Sequence, residues 1–250
     1  CNLALAIQQV TEEIVLKLAQ HAKELTGSNK ICLSGGVALN CVANGKLQQQ
    51  QLFDEIFIQP AGGDAGGSVG AALAAYHLYF EKERLPVSGS DAMKGAYLGP
   101  SFTTDDIINK LADYHPVYKL FPNRTLLNTQ IAQLLKDGMV VGWFQGRMEF
   151  GPRALGNRSI LADPRNPEMQ KKLNLKIKFR EGFRPFAPAV AAEKAKDYFD
   201  IKTDSPYMLL VQPVKQSLRN PVPGNYHQLS LNEKLYFQRS GLPAITHIDY

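Results

Sequence analysis

The sequence lacks the features of a membrane or exported protein. Its apolar stretches are short and interrupted, and no basic segment followed by an apolar one opens the chain. We therefore predict neither a membrane span nor a signal peptide, and we expect a cytoplasmic protein. Cysteine is scarce, with three residues in 250 and no CxxC pair. One cysteine stays unpaired in any disulfide scheme, so we expect reduced, mostly buried cysteines rather than a zinc site.

Familiar nucleotide and metal motifs are absent as well. Neither the GxxxxGK[ST] spacing of a P-loop nor a GxGxxG fingerprint occurs, and the five histidines are scattered without an HxxxH or HExxH pair. The two glycine loops that do occur are SGGVALN at 34–40 and QPAGGDAGGSVG at 59–70. Such loops bring backbone amides close to an anion at a helix amino terminus, but they are equally typical of tight turns. In the second loop, Asp64 either binds a ligand or caps a helix.

The positive charge of the chain is clustered. Its net charge is +5, and many of its basic residues fall in a stretch rich in glycine and proline. They are Arg147, Arg153, Arg158, Arg165, Lys178, Arg180 and Arg184. Converging arginines clamp phosphate or carboxylate oxygens, so a short anionic ligand is favoured over a nucleic acid. The alternative is that they pair with Glu149, Asp163 and Glu181 on a solvated surface.

The order of elements predicts an α/β protein of two domains. A helix that ends at Gly27 and Ser28 precedes two units, each of strand, glycine loop and helix, with strands at 30–33 and 55–58. A linker-like composition at 81–99 places a boundary near residue 95, so we predict domains at 1–94 and 95–250. The second domain is predicted as mixed α+β, with helices at 105–114, 128–137 and 166–175. Its predicted strands are 139–145, 188–190 and 208–214.

Five segments of the chain together resemble, in order, the carboxy-terminal half of the nodulation-type O-carbamoyltransferases. They are SGGVALN, QPAGGDAGGSVGAAL, FGPRALGNRSILADPR, KFREGFRPFAP and PAITHID. The resemblance covers nearly all 250 residues. The resemblance is specific because FGPRALGNRS is followed by REGFRPFAP. The glycine loops alone would not make it specific.

The resemblance implies both fold and activity. It implies the end of an actin-like, sugar-kinase-like ATPase fold at 1–94 and a threonylcarbamoyl-AMP-synthase-like fold at 95–250. ATP and carbamoyl phosphate would form carbamoyl-adenylate in the second domain, and the first would transfer the carbamoyl group to a substrate hydroxyl. The implied catalytic residues of adenylation are Arg153, Arg158, Lys178 and Arg184. The implied nucleotide contacts are Gly35, Gly36, Asn40, Arg147, Ser159 and Arg180, and Asp64 is the implied ligand of a divalent metal, iron or magnesium.

The chain departs from the family pattern at both ends. The paired histidines that complete the family's metal site belong to an upstream segment that is not in this sequence, so Asp64 alone is not expected to hold a metal. Family members also continue after PAITHID into an Arg-containing segment, whereas this chain stops at Tyr250. It begins without Met in the middle of a predicted helix. We therefore expect a piece of a longer protein, with both active sites incomplete.

Two hypotheses from other functional classes remain. A nucleic-acid-binding module, related to tRNA threonylcarbamoylation, would show steep salt dependence, but no basic and aromatic RNA-binding platform is present. A non-catalytic interaction fragment would use the actin-like domain for dimerisation, and an exposed apolar patch there would favour it. The partner expected for the enzyme is a small hydroxylated acceptor, which could be a sugar, an antibiotic or a lipo-oligosaccharide.

Overall fold

The computed structural model of the chain describes residues 2–85 and 91–247 and divides into two compact units. Each unit is built from three segments of sequence. Unit 1 comprises Cys1–Pro100, Arg147–Leu155 and Ser205–Val211, and unit 2 comprises Ser101–Gly146, Gly156–Asp204 and Gln212–Tyr250. The sequence predicts two continuous domains, and it does not predict that two short later segments pack with the first hundred residues.

Unit 1 contains the two predicted repeats of strand, glycine loop and helix. Its elements are α1 (Asn2–Thr26), β1 (Lys30–Leu33), α2 (Cys41–Gln49), β2 (Glu55–Ile58) and α3 (Asp64–Ala74), which continues as a π-helical turn, Ala75–Tyr79. The strands pair in parallel from Lys30 opposite Glu55 to Leu33 opposite Ile58, which confirms the α/β layer. Helix α3 begins at Asp64, inside the second glycine loop.

The first helix turns its apolar stripe outward. Helix α1 ends before Gly27, whose φ of 64° suits glycine, and its side chains at Glu12 and Ala19 are buried. Glu12 pairs with Lys46 of α2 and accepts from Gln8 at 2.8 Å. Burial works to raise the pKa of Glu12, but hydrogen bonds from Lys46 and Gln8 outweigh it and hold that pKa below its ordinary value. The helix predicted to end at Gly27 and Ser28 is confirmed, yet most of its large apolar side chains are exposed, among them Leu3, Ile7, Val10, Ile14, Leu18 and Leu25.

The main core of unit 1 draws on distant parts of the sequence. Its buried members are Ala38, Ile58, Ala61, Met93, Ala96, Tyr207 and Leu209. Met93 and Ala96 lie in the stretch whose composition predicts a linker, but both are at most 5% exposed. Within the predicted linker, residues 86–90 lie outside the described residues. The second half of the predicted linker is therefore packed structure.

Unit 2 is a mixed arrangement of short helices and one antiparallel strand pair. Its elements are α4 (Thr104–Ala112), α5 (Arg124–Lys136), β3 (Val141–Phe144), β4 (Arg158–Leu161), α6 (Met169–Lys172), α7 (Ala195–Tyr198) and α8 (Leu231–Tyr236). Val141 lies opposite Leu161, and Phe144 opposite Arg158. Met169, Leu173 and Ala244 form its buried cluster. Over the part of the chain that is described, no helix is both long and apolar enough to cross a membrane.

Several predictions of local structure are wrong. Residues 188–190 form no strand, and of 208–214 only Val214 pairs, in an isolated bridge with Phe199. Met208 has a φ of 55°, outside the β region, and Pro213 lacks a backbone donor, so a continuous strand cannot form there. Strand β4 was not predicted. Cys32 is exposed rather than buried, and Cys41 is half-buried, both as free thiols.

Candidate functional site

The two glycine loops of unit 1 lie side by side at the carboxyl ends of β1 and β2. A Cβ on Gly62 of the second loop would lie 3.1 Å from the carbonyl oxygen of Gly35 in the first. Gly35 has a φ of 99°, which favours glycine. Gly35 and Gly36 are exposed. The carboxyl ends of parallel strands are where open α/β sheets bind ligands, so this is the candidate site of unit 1.

A buried asparagine holds the first glycine loop in place. Asn44 of α2 is 2% exposed, and its Nδ2 donates to the carbonyls of Ala38 at 2.8 Å and Leu209 at 3.0 Å. Asn44 is not predicted from the sequence, because only its burial distinguishes it from a polar surface position of the helix. The predicted nucleotide contact Asn40 has a structural role, since its Oδ1 accepts from Ala43 at 3.1 Å and caps α2. Its Nδ2 also donates to Gln8 at 3.0 Å.

The segment 147–155 brings two of the predicted site arginines to unit 1. Arg153 donates from Nη2 to the carbonyl of Leu39 at 3.2 Å, while its Nε is buried and has no hydrogen-bond partner among the described residues. Arg147 donates from Nη2 to the carbonyl of Leu98 at 3.3 Å. Gly151 packs against the second glycine loop, because a Cβ there would lie 3.2 Å from the carbonyl oxygen of Pro60.

Asp64 stands at the amino end of α3 with its side chain exposed. Gly63, not Asp64, occupies the cap position of α3, and Asp64 lies in the first turn of the helix. Within residues 2–85 and 91–247, no three His, Cys, Asp or Glu side chains are grouped so that they could hold a metal ion. A single exposed carboxylate does not furnish the ligand set of a transition metal, so the described residues do not by themselves fit the implied metal.

In unit 2, Arg158 shapes the end of the strand pair. Its guanidinium carbon lies 3.4 Å from the centroid of the Phe144 ring, and Nη1 donates to the carbonyl of Gln145 at 2.6 Å. Nη2 is 3.3 Å from the carbonyl of Gly146. Ser159, predicted to bind nucleotide, accepts from the amide of Gly156 at 3.0 Å. Both side chains therefore hold the loop between the strands.

The remaining predicted residues lie on residues 178–186, which we call the basic loop. Arg180 donates from Nε to Oδ1 of Asn174 at 2.7 Å and lies over the Phe186 ring at 5.1 Å. Lys178 is exposed, and Arg184 is half exposed and paired with Glu181 at 2.8 Å. The basic loop thus combines anchored and accessible cations.

Asp163 and Glu181, two of the carboxylates proposed as local partners, pair with arginine. Arg165 binds Asp163 through Nε and Nη2, and this contact holds the pKa of Asp163 below its ordinary value. The pKa of Glu181 is also held below its ordinary value, first by a hydrogen bond from its own backbone amide and then by Arg184. Glu149, the third proposed partner, accepts from the amide of Leu155 at 2.8 Å.

The four predicted catalytic residues are not gathered in one unit. Arg153 belongs to unit 1, whereas Arg158, Lys178 and Arg184 belong to unit 2. Their assignment to a single adenylation site stays a prediction.

Comparison with known proteins places both halves of the chain in one family. The profile of the carbamoyltransferase N-terminus matches residues 1–73, and that of the carbamoyltransferase C-terminus matches residues 132–250. An uncharacterized protein of Synechocystis is 53% identical over 250 residues, which is 99% of this chain and 40% of that protein. The nodulation protein NolO of Bradyrhizobium diazoefficiens is 39% identical over 225 residues, 88% of this chain and 40% of that protein.

A third relative, the nodulation protein NolNO of Sinorhizobium fredii, is 39% identical over 222 residues, 88% of this chain and 32% of that protein. The chain therefore spans two fifths or less of the length of these relatives. The two profiles occur in their natural order and together match most of the sequence. The chain belongs to the carbamoyltransferase family.

Proposed function

We propose that the protein containing this chain is an ATP-dependent O-carbamoyltransferase. ATP and carbamoyl phosphate react at residues 95–250 to give carbamoyl-adenylate, and residues 1–94 act in transfer of the carbamoyl group to a hydroxyl of a small acceptor. The observation that carries this proposal is the match of one chain to both carbamoyltransferase profiles. The activity is assigned to the full-length protein, because the relatives extend well beyond the matched region.

The loops of unit 1 support a role in binding the adenylate. Gly35 and Gly36 are exposed at the carboxyl end of β1, so their backbone is accessible to a ligand. A glycine loop next to a helix amino terminus stabilises anionic oxygens through backbone amides. Helix α2 begins directly after the first loop, and α3 begins at Asp64, within the second loop. A phosphate group of the adenylate fits this arrangement.

The basic loop of unit 2 supports adenylate formation. Carbamoyl phosphate and ATP are anions. Water releases phosphate from carbamoyl phosphate to leave carbamate, and attack of the carbamate on the α-phosphorus of ATP displaces diphosphate, so charge builds up on phosphate oxygens in both transition states. Preorganised cations stabilise that charge. Lys178 and Arg184 are accessible. Arg158 is held by the Phe144 ring and loop carbonyls, and Arg180 by the Phe186 ring and Asn174. In this proposal the first pair contacts oxygens and the second pair fixes the loops.

The metal that the resemblance implies enters no step here. Asp64 is the one ligand assigned to this chain, and its lone carboxylate does not fit a metal site. We therefore derive the reaction from the basic residues and the glycine loops alone.

Two half-reactions measured on the full-length protein test the proposal. The first is diphosphate release from ATP, which should require carbamoyl phosphate. The second is carbamoylation of a panel of sugar, antibiotic and lipo-oligosaccharide hydroxyls from supplied carbamoyl-adenylate. ATP turnover that is indifferent to carbamoyl phosphate would reject the proposal.

A second candidate function, protein interaction through unit 1, is favoured by one observation. The outward face of α1 exposes Ile7, Val10, Ile14 and Leu18, each by 49% or more. An apolar stripe of this size on a helix is typical of a surface that another helix or sheet covers. Ile14→Glu in the full-length protein separates the cases. If the wild-type protein is a homodimer and the variant dissociates with both half-reactions intact, the face of α1 has an interaction role. If the protein is a monomer and the variant loses its fold, another part of the same polypeptide covers that face.

A further inference from the structure

Asn174 is a buried side chain of unit 2 that neither the motifs nor the proposed reaction uses. It has no exposed surface. Its Nδ2 donates to the carbonyls of Gly182 at 3.1 Å and Arg184 at 2.9 Å. Its Oδ1 accepts from Nε of Arg180 at 2.7 Å. One side chain therefore contacts three residues of the basic loop.

These contacts need an amide. The site requires two donors on one side for the two carbonyls and an acceptor on the other for the guanidinium, and a planar carboxamide supplies both. Aspartate of the same shape offers only acceptors, and leucine offers neither. The main chain adds a fourth contact, since the amide of Arg180 donates to the carbonyl of Asn174 at 2.9 Å.

Asn174 is itself fixed to the core. It follows Leu173, which is 5% exposed and packs with Met169 and Ala244. It lies in the π-helical turn Leu173–Ile177, and the amide of Lys178 closes that turn by donating to the carbonyl of Leu173 at 2.9 Å. The basic loop is thus tied to the rigid part of unit 2 through Asn174, in addition to the packing of Phe186 on the same cluster and the donation from Gln170 to the Arg184 carbonyl.

We propose that Asn174 is a positioning residue that, with Arg180 as its anchor, sets the basic loop and Arg184 in the geometry that binds carbamoyl phosphate and ATP. This inference rests on the proposed function. Asn174 touches no substrate; it acts through the backbone at 182–184 and through one guanidinium. A small displacement of such binding groups lowers the rate strongly even when the chemistry is unchanged.

The test uses two variants of the full-length protein, Asn174→Asp and Asn174→Leu. The aspartate keeps the size and the acceptor for Arg180 but turns an acceptor toward both carbonyls. We expect kcat/KM for carbamoyl phosphate in diphosphate release to fall about tenfold or more, chiefly through KM, because the displaced cations bind the anion less well. Carbamoylation from supplied carbamoyl-adenylate should not change.

The matched control is Ser240→Ala, which also removes buried polar contacts from unit 2. Ser240 is 1% exposed, and its hydroxyl lies 2.6 Å from that of Thr246 and accepts from Leu242 at 3.0 Å. The KM of the Ser240→Ala variant for carbamoyl phosphate should stay at the wild-type value. An equal rise of KM in this control and in the Asn174 variants would overturn the positioning role.

Folding and function failures are separable. The carbonyls of Gly182 and Arg184 lie in a loop that is partly open to solvent, so water can replace the lost donor in Asn174→Leu and folding is expected. If neither variant folds, Asn174 is a core residue only and the inference is rejected. If the wild-type protein shows no carbamoyl-phosphate-dependent diphosphate release, the proposed function fails first and the inference falls with it.

Discussion

The first glycine loop of unit 1 and the basic loop of unit 2 are both held by a buried asparagine, but over different distances in sequence. Asn174 reaches carbonyls 8 and 10 residues away. Asn44 reaches one carbonyl 6 residues away and another, at Leu209, 165 residues away. The basic loop is thus fixed by its own neighbourhood, whereas the glycine loop depends on a segment from the other end of the chain.

Other contacts repeat this difference. In unit 1, Arg153 reaches Leu39 across 114 residues, and Tyr207 reaches Asp91 across 116. In unit 2, Arg158 reaches the Gln145 carbonyl across 13. Changes in the segments 147–155 and 205–211 should therefore disturb unit 1, although both segments lie within the second half of the sequence.

The largest expected effect is the loss of an accessible cation from the basic loop. Arg184→Ala in the full-length protein should lower kcat/KM for carbamoyl-phosphate-dependent diphosphate release by about a hundredfold, because one preorganised charge contact is worth about 3 kcal/mol in the transition state. Arg184 is half exposed and pairs only with exposed Glu181 among the contacts described, so folding should be unaffected.

Arg165→Ala is the control for this prediction. Arg165 is also a surface arginine of unit 2, but its guanidinium is committed to Asp163 through two nitrogens. In Arg165→Ala, kcat/KM for diphosphate release should stay within about twofold of the wild-type value, as expected for a surface substitution away from the reacting groups. If Arg165→Ala and Arg184→Ala slow the reaction equally, the effect is one of general charge and the basic loop has no special role.

Next in size is the tyrosine that ties the segment 205–211 to unit 1. The Tyr207 hydroxyl lies 2.8 Å from both carboxylate oxygens of Asp91 and accepts from the amide of Gly95 at 3.1 Å. Tyr207→Phe should lower the free energy of unfolding by about 1.5–3 kcal/mol, the usual worth of a hydrogen bond to a charged group. Urea unfolding at pH 8 measures this.

The same tyrosine gives a pH dependence with a defined sign. Burial and then the contact with Asp91 raise the pKa of Tyr207 to about 12, above its ordinary value of 10. The folded protein thus holds the Tyr207 proton more tightly than the unfolded chain does. The contribution of Tyr207 to the free energy of unfolding is therefore complete below pH 10 and declines as the pH rises from 10 to about 12. Wild type should lose this stability over that range and Tyr207→Phe should not. Parallel curves for the two proteins would contradict the assignment.

The local pattern of the sequence predicts much of the fold and less of the site. Strands β1 and β2 are predicted at their observed bounds, because each is a short apolar run between a helix end and a glycine loop. The prediction of a strand at 208–214 is wrong. The local sequence pattern does not show that the Leu209 carbonyl accepts a hydrogen bond from the side chain of Asn44. Propensity over seven residues cannot anticipate a partner 165 residues away.

Site residues divide in the same way. The motifs locate the arginines, but they do not show that Arg153 packs with the glycine loop of unit 1, or that Asn40 caps a helix. Asn44 and Asn174 were missed because a single polar residue in a helical stretch looks like a surface position. Only burial distinguishes it, and burial depends on the tertiary structure.

A glycine substitution tests the long-range support of the glycine loop. A Cβ on Gly45 of α2 would lie 2.6 Å from the carbonyl oxygen of Val211, so Gly45→Ala must push the segment 205–211 away. Overpacking of this kind costs about 1–3 kcal/mol, partly offset by the higher helix propensity of alanine. Gly67 of α3 has open space around it, and Gly67→Ala should stabilise instead, by up to about 1 kcal/mol. Urea midpoints that move in the same direction would contradict the contact.

The smallest effect separates two roles of Asn40, which lies in the first glycine loop and caps α2. Asn40→Ala should cost about 1 kcal/mol, the usual loss when a helix cap is removed, and Asn40→Ser should recover most of it because serine also accepts from the helix amide. Serine cannot reproduce the Nδ2 donation to Gln8, so recovery should stay incomplete. Carbamoylation from supplied carbamoyl-adenylate then decides function. If Asn40→Ser restores both stability and transfer, Asn40 acts as a cap; if stability returns and transfer stays low, its amide contacts the nucleotide, as the family resemblance implies.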